Sequence, residues 1–199
     1  MPDVPIRAAA SVVLVRHGAA GTRVLMGQRG AAAVFMPSKF VFPGGRADHG
    51  DLADIAALST TCLNRLTRHL PDAAPDPAAL LGCAHRELRE ETGLGLAPTA
   101  RLRFIFRAIT PPGSPRRFDA RFFLADGSDL TCPPDDFSAA EDELSHLHWV
   151  PLAETRRLDL PFITEIVLAE VRALLAGHEQ PGVPFFDNSG PVPTFRRLV

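Results

Sequence analysis

Three carboxylates lie on little more than one helical turn in the segment 86–95, which has the sequence RELREETGLG. Glu87, Glu90 and Glu91 are three and four positions apart, so they share one face of an α-helix. Like charges this close destabilise a helix unless a positive charge lies among them. A divalent cation would supply that charge, and carboxylate oxygens select Mg²⁺ or Mn²⁺ over softer metals. The segment predicts a metal site; for the glutamates alone, a solvated acidic helix face is the alternative.

Other residues in and near this segment can support such a site. Arg86 precedes Glu90 by four residues and can hold its carboxylate in place through an ion pair. Gly93 is suited to end the helix and to let the chain turn away. A Phe-Pro-Gly-Gly turn at 42–45 lies upstream and can serve the same site.

The helix that carries the glutamates has a recognisable start and a stripe that can be buried. Asp76 followed by Pro77 predicts an N-cap and a first helical residue, so the helix should run from about 78 to 92. Its apolar stripe consists of Leu80, Ala84 and Leu88. The helix can therefore pack on apolar residues while it presents carboxylates to a cleft.

Apolar patterns elsewhere predict the elements around this helix. Strands are predicted at 8–16, 23–29, 40–42, 101–109, 117–125 and 144–150, and further helices at 52–70 and 161–176. The first two strands should form a hairpin. Arginines that alternate along later strands predict solvated strand faces, and the alternative is that Arg116, Arg117 and Arg121 reach phosphates. Short mixed strands with the two main helices on different sides predict an α/β fold, an α/β/α sandwich with a mixed central sheet.

Bulk properties limit the partners and the location of the protein. A length of 199 residues predicts a single domain, 1–199, and a net charge of −2 argues against a nucleic-acid partner. The longest apolar run, 8–15, is too short to span a membrane. Three cysteines without a C-x-x-C spacing predict neither a zinc site nor disulfides, and they favour a cytoplasmic location.

The run from Arg86 to Leu94 resembles the motif of the Nudix hydrolases, G-x5-E-x7-R-E-U-x-E-E-x-G-U, in which U is aliphatic. The second half of the motif matches without a departure, and Pro43-Gly44-Gly45 matches the turn that usually opens it. The resemblance extends over the predicted strand order from residue 8 to about 176. It implies a Nudix fold and Mg²⁺-dependent cleavage of a diphosphate linkage, with Mn²⁺ as a substitute.

The resemblance also implies roles for individual residues. Glu87, Glu90 and Glu91 would bind one to three metal ions, and Arg86 would orient a carboxylate. The general base of the family is often a glutamate outside the motif, for which Glu143 is the candidate, with an ordinary loop acid as the alternative.

Two departures from the family motif concern its first half. The first glutamate is replaced by Asp51, which is either structural or displaced. Between Asp51 and Arg86 lie 34 residues where the family usually has seven, so that 27 are inserted, and we place these within the segment 52–80. It could line the cleft, form a contact in a homodimer or be mobile. A Gly/Pro-rich C-terminal extension, 177–199, should pack across the body or cover a partner.

The segment 28–45 suggests the substrate, because it resembles the corresponding segment of a Nudix subgroup that includes coenzyme A diphosphatases. Some members of that subgroup also have an insertion in the motif. The segment favours coenzyme A or acyl-CoA, whereas Pro111 and Pro112 lie near the position of a proline in ADP-ribose hydrolases. The candidate residues for binding this small-molecule nucleotide are Arg29, Phe42, Gly44, Gly45 and Arg117, and Asp51 and Gly93 support the motif. A Nudix-fold nucleotide sensor without catalysis is the alternative function.

Overall fold

One mixed β-sheet contains every strand that the structure describes. The computed structural model describes residues 4–68, 76–178 and 181–199. The strands are β1 (Ile6–Arg16), β2 (Arg23–Arg29), β3 (Phe40–Val41), β4 (Gly44–Arg46), β5 (Arg103–Ile109), β6 (Arg117–Asp126), β7 (Leu144–Pro151), β8 (Val183–Asp187) and β9 (Thr194–Leu198). The helices are α1 (Thr60–Arg68), α2 (Pro77–Thr92) and α3 (Phe162–Leu175).

The strand order is β3-β2-β1-β6-β5-β8-β9, with β4 beside β1 and β7 beside β2. β1 runs parallel to β6 and β5 runs parallel to β8, whereas the other pairs are antiparallel. The predicted hairpin is present, since Val15 pairs with Val24 across β1 and β2. The sheet is therefore mixed, as the sequence predicted.

Two apolar cores lie on opposite faces of the sheet. On one face α1 and α2 bury residues such as Leu66, Leu80 and Leu88 against Val12 and Phe123. On the other face α3 buries Val167, Leu168 and Val171 against strand residues that include Val13 and Phe106. Alternate residues of a strand point to opposite faces, so β1 supplies Val12 to one core and Val13 to the other. This arrangement confirms the α/β/α sandwich.

The segment after Asp51 differs from the helix predicted at 52–70. Residues 51–53 run along α2, where Ala53 N–H donates to Ala78 O at 3.0 Å, and Leu52 is 76% exposed. A short 3₁₀ turn, Ile55–Ala57, follows, and the helix begins only at Thr60. Residues 69 and 70 of the predicted helix lie outside the described residues. A sequence period alone could not show that the chain here is held to α2 by a backbone hydrogen bond.

Two other predictions are corrected by the structure, and one open alternative is decided. Gly44 and Gly45 form part of strand β4, paired with Ser11 and Ala10, and do not simply end a strand as a turn. The 177–199 extension packs on the body, one of its two expected placements, by adding β8 and β9 to the sheet, where β8 pairs in parallel with β5. The arginines on β5 and β6 do not mark solvated faces, since both strands are interior to the sheet and are covered by helices. None of the helices within the described ranges is long and apolar enough to cross a membrane.

Candidate functional site

Helix α2 has the start and the end that its sequence predicts. The Asp76 side chain accepts a hydrogen bond from Ala78 N–H, and Pro77 occupies the first turn. At the other end Gly93 adopts the left-handed conformation with φ of 75°, and its N–H donates to Arg89 O. The stripe of Leu80, Ala84 and Leu88 is fully buried, which fixes the rotation of the helix and directs the glutamates towards β4.

The guanidinium of Arg86 binds three carboxylates at once. Its Nη1 donates to Glu87 Oε1 at 2.8 Å and to Glu90 Oε2 at 2.9 Å. Its Nε and Nη2 donate to the two oxygens of Asp51 at 2.7 and 3.0 Å. The carboxylates raise the pKa of Arg86 further above its ordinary value, chiefly through the hydrogen bonds to Asp51. Arg86 is therefore the fixed centre of the cluster, and its charge offsets part of the repulsion among the acids.

Asp51 lies in the cluster despite the long stretch of chain that separates it from Arg86. The approach is possible because Gly82 has no side chain: a Cβ there would lie 2.3 Å from Leu52 N and 2.7 Å from Asp51 C. The two-point hydrogen bond from Arg86 holds the pKa of the buried Asp51 carboxyl below its usual value. The shorter carboxylate is thus neither displaced nor solvated.

The glycines of β4 contact the other two glutamates of the predicted metal site. Gly44 N–H donates to Glu91 Oε2 at 2.7 Å. A Cβ on Gly45 would lie 2.3 Å from Glu87 Oε1, so only glycine allows this carboxylate to lie against the strand. The Gly44-Gly45 pair therefore brings β4 against α2 at the positions of Glu87 and Glu91.

Glu91 is the most deeply buried of the three glutamates. Burial raises its pKa to about 8, and burial also raises the pKa of Glu87. Glu91 Oε1 is buried and has no hydrogen-bond partner among the described residues. A buried carboxylate oxygen without a partner is costly, and a bound cation would satisfy it.

The donor chemistry of this cluster suits a hard divalent cation. Glu87, Glu90 and Glu91 offer only carboxylate oxygens, the ligand type that Mg²⁺ and Mn²⁺ prefer. Within the part of the chain that the structure describes, no three His, Cys, Asp or Glu side chains converge closely enough to surround a metal ion. Arg86 Nη1 lies between Glu87 and Glu90 and is bonded to both. The residues fit a metal in type and in burial, and two of the three carboxylates are engaged by the arginine.

Glu143, the candidate general base, lies beside the same cluster. It precedes β7, which pairs with β2, so it meets Arg29 at the end of β2, where Arg29 Nη2 donates to Glu143 Oε1 at 2.9 Å. The negative charge of Glu143 contributes to the raised pKa values of Glu87 and Glu91. Its side chain is 54% exposed, so the structure places a solvent-accessible carboxylate near the three glutamates.

A cleft of about 770 Å³ opens on this cluster. Among the predicted binding residues it is lined by Arg29, Phe42, Gly44, Gly45 and Arg117. The ring of Phe42 packs edge-on against Phe122 and is buried. Arg117 is also buried, and it donates to the backbone carbonyls of Thr110 and Ser189. Phe42 and Arg117 therefore shape the wall of the cleft and support it from its buried side.

Two cleft residues were missed as candidates from the sequence. Arg7 lies on the same face of β1 as Ala9 and Ser11, and all three line the cleft. Arg46 follows the glycine pair in β4 and also lines it. The two-residue period of β1 could have identified Arg7, whereas Arg46 could be found only once β4 was known to pair with β1.

A family model described as NUDIX domain matches residues 70–171. No curated protein matches the chain. Among solved structures, the NUDIX hydrolase from Alicyclobacillus acidocaldarius is 29% identical, with a TM-score of 0.59, over 87% of this chain and 92% of that chain.

Two further solved structures share the fold. The NUDIX domain of Shewanella oneidensis NrtR, complexed with ADP ribose, is 17% identical with a TM-score of 0.57, over 86% of this chain and 89% of that chain. The MutT NUDIX hydrolase from Burkholderia pseudomallei is 20% identical with a TM-score of 0.54, over 84% of this chain and 98% of that chain. At these identities the likeness concerns the arrangement of strands and helices.

Proposed function

The chain belongs to the NUDIX family and is a hydrolase of pyrophosphate bonds, and we propose that it uses Mg²⁺ to cleave a nucleoside diphosphate from the group attached to it. One observation carries the proposal: Glu87 of the family motif lines a nucleotide-sized cleft, and Glu91, one helical turn further along α2, has a buried Oε1 without a hydrogen-bond partner among the described residues. A cation at that place would satisfy the oxygen and attract a diphosphate.

Glu87, Glu90 and Glu91 are the residues that would hold the metal. A divalent cation bound there would neutralise charge on the diphosphate and lower the pKa of water, which makes attack on phosphorus easier. Arg86 is proposed as a positioning residue, since Asp51 fixes its guanidinium from one side and it fixes Glu87 and Glu90 on the other. Mn²⁺ has the same preference for oxygen ligands and is the expected substitute.

Glu143 is proposed as the general base. A base must lie within reach of water and must be free to accept a proton. Glu143 meets both requirements better than the buried Glu87, because its side chain is half exposed and accepts a hydrogen bond from one guanidinium nitrogen of Arg29. Arg29 would hold the carboxylate towards the cleft.

We propose coenzyme A or acyl-CoA as the substrate class, with ADP-ribose-like compounds as the alternative. The support for the first is that the segment 28–45, which resembles the coenzyme A diphosphatase subgroup, supplies much of the cleft wall. Its lining residues include Arg29, Phe35, Met36 and Phe42. We also propose that the 52–80 insertion serves to build the α2 side of the protein, since Ala57, Leu58, Cys62 and Leu66 are buried in that core.

Incubation of the pure protein with Mg²⁺, and separately with Mn²⁺, and a panel of substrates tests the function. The panel contains coenzyme A, acetyl-CoA, ADP-ribose, NADH and diadenosine tetraphosphate, with products separated by chromatography. Cleavage of a phosphoanhydride linkage in at least one substrate is expected. If no member is cleaved with either metal, and a nucleotide is instead recovered intact from a tight complex, the protein is a nucleotide sensor.

A further inference from the structure

Five arginines line the cleft, and their side chains differ in what they bind. Arg29 is paired with Glu143, and Arg46 is paired with Asp48. Arg117 donates to backbone carbonyls. Arg7 and Arg116 are exposed, and neither side chain forms a hydrogen bond or an ion pair with any other residue in the described ranges. Two of the five guanidinium groups are therefore uncommitted.

The two uncommitted arginines lie beside each other. Arg7 pairs with Phe118 in the parallel register of β1 and β6, and Arg116 immediately precedes Arg117, the first residue of β6. Both therefore lie at the end of the sheet where the parallel strands β1 and β6 begin. Two neighbouring positive charges without a carboxylate partner form a favourable place for an anion.

This place is separated from the carboxylate cluster by the width of the cleft floor. β4, which contacts Glu87 and Glu91, lies beside β1, and β1 lies beside β6. Arg116 precedes β6, which lies two strand spacings, about 10 Å, from β4, and Arg7 lies three residues, about 10 Å along β1, before Ala10, the partner of Gly45. A diphosphate at the glutamates would therefore leave the arginines to another part of the same ligand.

An aromatic surface lies next to the arginines. Phe35 packs edge-on against Phe118 with ring centroids 5.3 Å apart, and both rings line the cleft. Flat apolar surfaces suit a nucleobase or the carbon face of a ribose. The cleft thus has acids at one side, two free guanidinium groups at the other, and aromatic surface beside them.

From this arrangement we infer that Arg7 and Arg116 form a second anion subsite, which binds a phosphomonoester on the ribose of the substrate and takes no part in its cleavage. Guanidinium groups bind phosphate through paired, charge-assisted hydrogen bonds. The inference rests on the proposed function for the placement of the diphosphate. It assigns the site to nucleotides with a third, terminal phosphate, such as coenzyme A, in preference to ADP-ribose or NADH, which lack one.

Binding measured without turnover tests the subsite directly. Isothermal titration of wild-type protein with adenosine 3′,5′-bisphosphate and with adenosine 5′-monophosphate should give a tighter Kd for the bisphosphate by about 10- to 100-fold, as expected for charge-assisted hydrogen bonds. In the variant Arg7→Ala/Arg116→Ala this ratio should fall towards one. Adenosine 2′,5′-bisphosphate, titrated alongside, shows which ribose position carries the recognised phosphate.

Arg156→Ala is the matched control, because it removes one exposed positive charge outside the residues that line the cleft. It should keep the wild-type preference for the bisphosphate. A wild-type ratio near one for both bisphosphates overturns the inference, as does a preference that survives in the double variant.

Kinetics separates the failure of the subsite from the failure of the proposed function. The ratio of kcat/KM for coenzyme A to that for 3′-dephospho-coenzyme A should exceed about 10 in wild type and collapse in the double variant, mainly through KM. If wild type cleaves neither compound yet still prefers the bisphosphate in titration, the subsite stands and the hydrolase assignment to these substrates fails. If wild type cleaves both compounds equally and shows no binding preference for the bisphosphate, the hydrolase assignment stands and the subsite is wrong.

Discussion

Two ionic clusters on the α2 face of the sheet have opposite ratios of carboxylate to guanidinium groups. In the first, one guanidinium, that of Arg86, binds the three carboxylates of Asp51, Glu87 and Glu90. In the second, one carboxylate, that of Asp119, lies within 2.9 Å of the guanidinium groups of Arg107 and Arg121. The first cluster has an excess of acid and the second an excess of base.

Exposure separates the two clusters more clearly than composition. The side chains of Arg86 and Glu90 are 24% and 35% exposed, whereas those of Arg107 and Arg121 are 5% and 1% exposed. Burial lowers the pKa of Arg121 to about 10, which leaves it charged at neutral pH. The excess charge beside the cleft can meet a ligand, and the excess charge inside the sheet can only be balanced by the protein itself. The following predictions test this difference.

Loss of a glutamate at the open cluster should have the largest effect, and it should fall on activity. In Glu90→Gln and Glu91→Gln the rate of cleavage should drop by about 10³-fold, because stabilisation by a bound metal is worth several kcal/mol. Steady-state kinetics with Mg²⁺ measures the drop, and circular dichroism checks that the fold is kept. Glu141→Gln, an exposed acid in the nearby loop, should be close to wild type. Near-normal rates in both glutamate variants would contradict the metal assignment.

Loss of the carboxylate at the buried cluster should instead lower stability. Asp119→Asn removes the carboxylate that pairs with two buried guanidinium groups, and we expect the free energy of unfolding to fall by about 3 kcal/mol. Urea denaturation measures the change. Asp135→Asn, which breaks the exposed ion pair with Arg16, should cost less than about 1 kcal/mol. If the two variants were equally stable, burial would not distinguish the clusters.

The sequence predicted the part of the open cluster that lies on α2, because the signals there are local. Asp76, Pro77 and Gly93 mark the ends of α2, and the spacing of Glu87, Glu90 and Glu91 fixes their common face. These features depend on residues within four positions of each other along one helix, which makes them visible without the tertiary structure.

The buried cluster was mispredicted because it depends on distant partners. Arg107 and Arg121 were expected on solvated strand faces, but both are buried, and the guanidinium of Arg107 lies over the ring of Phe185 in β8, 4.3 Å from its centroid. β8 comes from the Gly/Pro-rich extension, whose parallel pairing with β5 joins residues about 80 positions apart, Arg107 and Phe185 for example. Such pairing has no local periodic signal. The same limitation hid the approach of Asp51 to Arg86 across the insertion.

The stability of the metal-free protein should depend on pH through Glu91. Its pKa is raised by burial to about 8, so the protonated form is favoured in the folded state. The unfolded chain loses this proton near pH 4.5, and the folded state therefore becomes less stable as pH rises towards 8. We expect a fall of about 2 kcal/mol between pH 6 and pH 8 in the presence of EDTA. Mg²⁺ should reduce this fall, because it supplies the missing positive charge.

Glu91→Gln gives the matched comparison for this pH dependence. Glutamine has nearly the same shape and does not ionise, so the stability of the variant should vary less between pH 6 and pH 8 than that of wild type. Chemical denaturation at four pH values in EDTA measures both proteins. Parallel pH profiles would show that Glu91 does not carry the dependence.

Asp51→Asn should have the smallest effect and should vanish in acid. Arg86 holds the pKa of Asp51 below its usual value, so Asp51 stabilises the fold above the unfolded pKa of about 4 and loses that contribution as pH falls through the lower folded pKa. At pH 7 the variant should be about 1 kcal/mol less stable, because Arg86 is partly solvated and keeps Glu87 and Glu90 as partners. Denaturation at pH 7 and at pH 3 measures the change. If the loss of stability is the same at pH 7 and at pH 3, the ion pair with Arg86 is not the source of the loss. A small loss confined to neutral pH would show that the open cluster tolerates the removal of one carboxylate from its shared guanidinium.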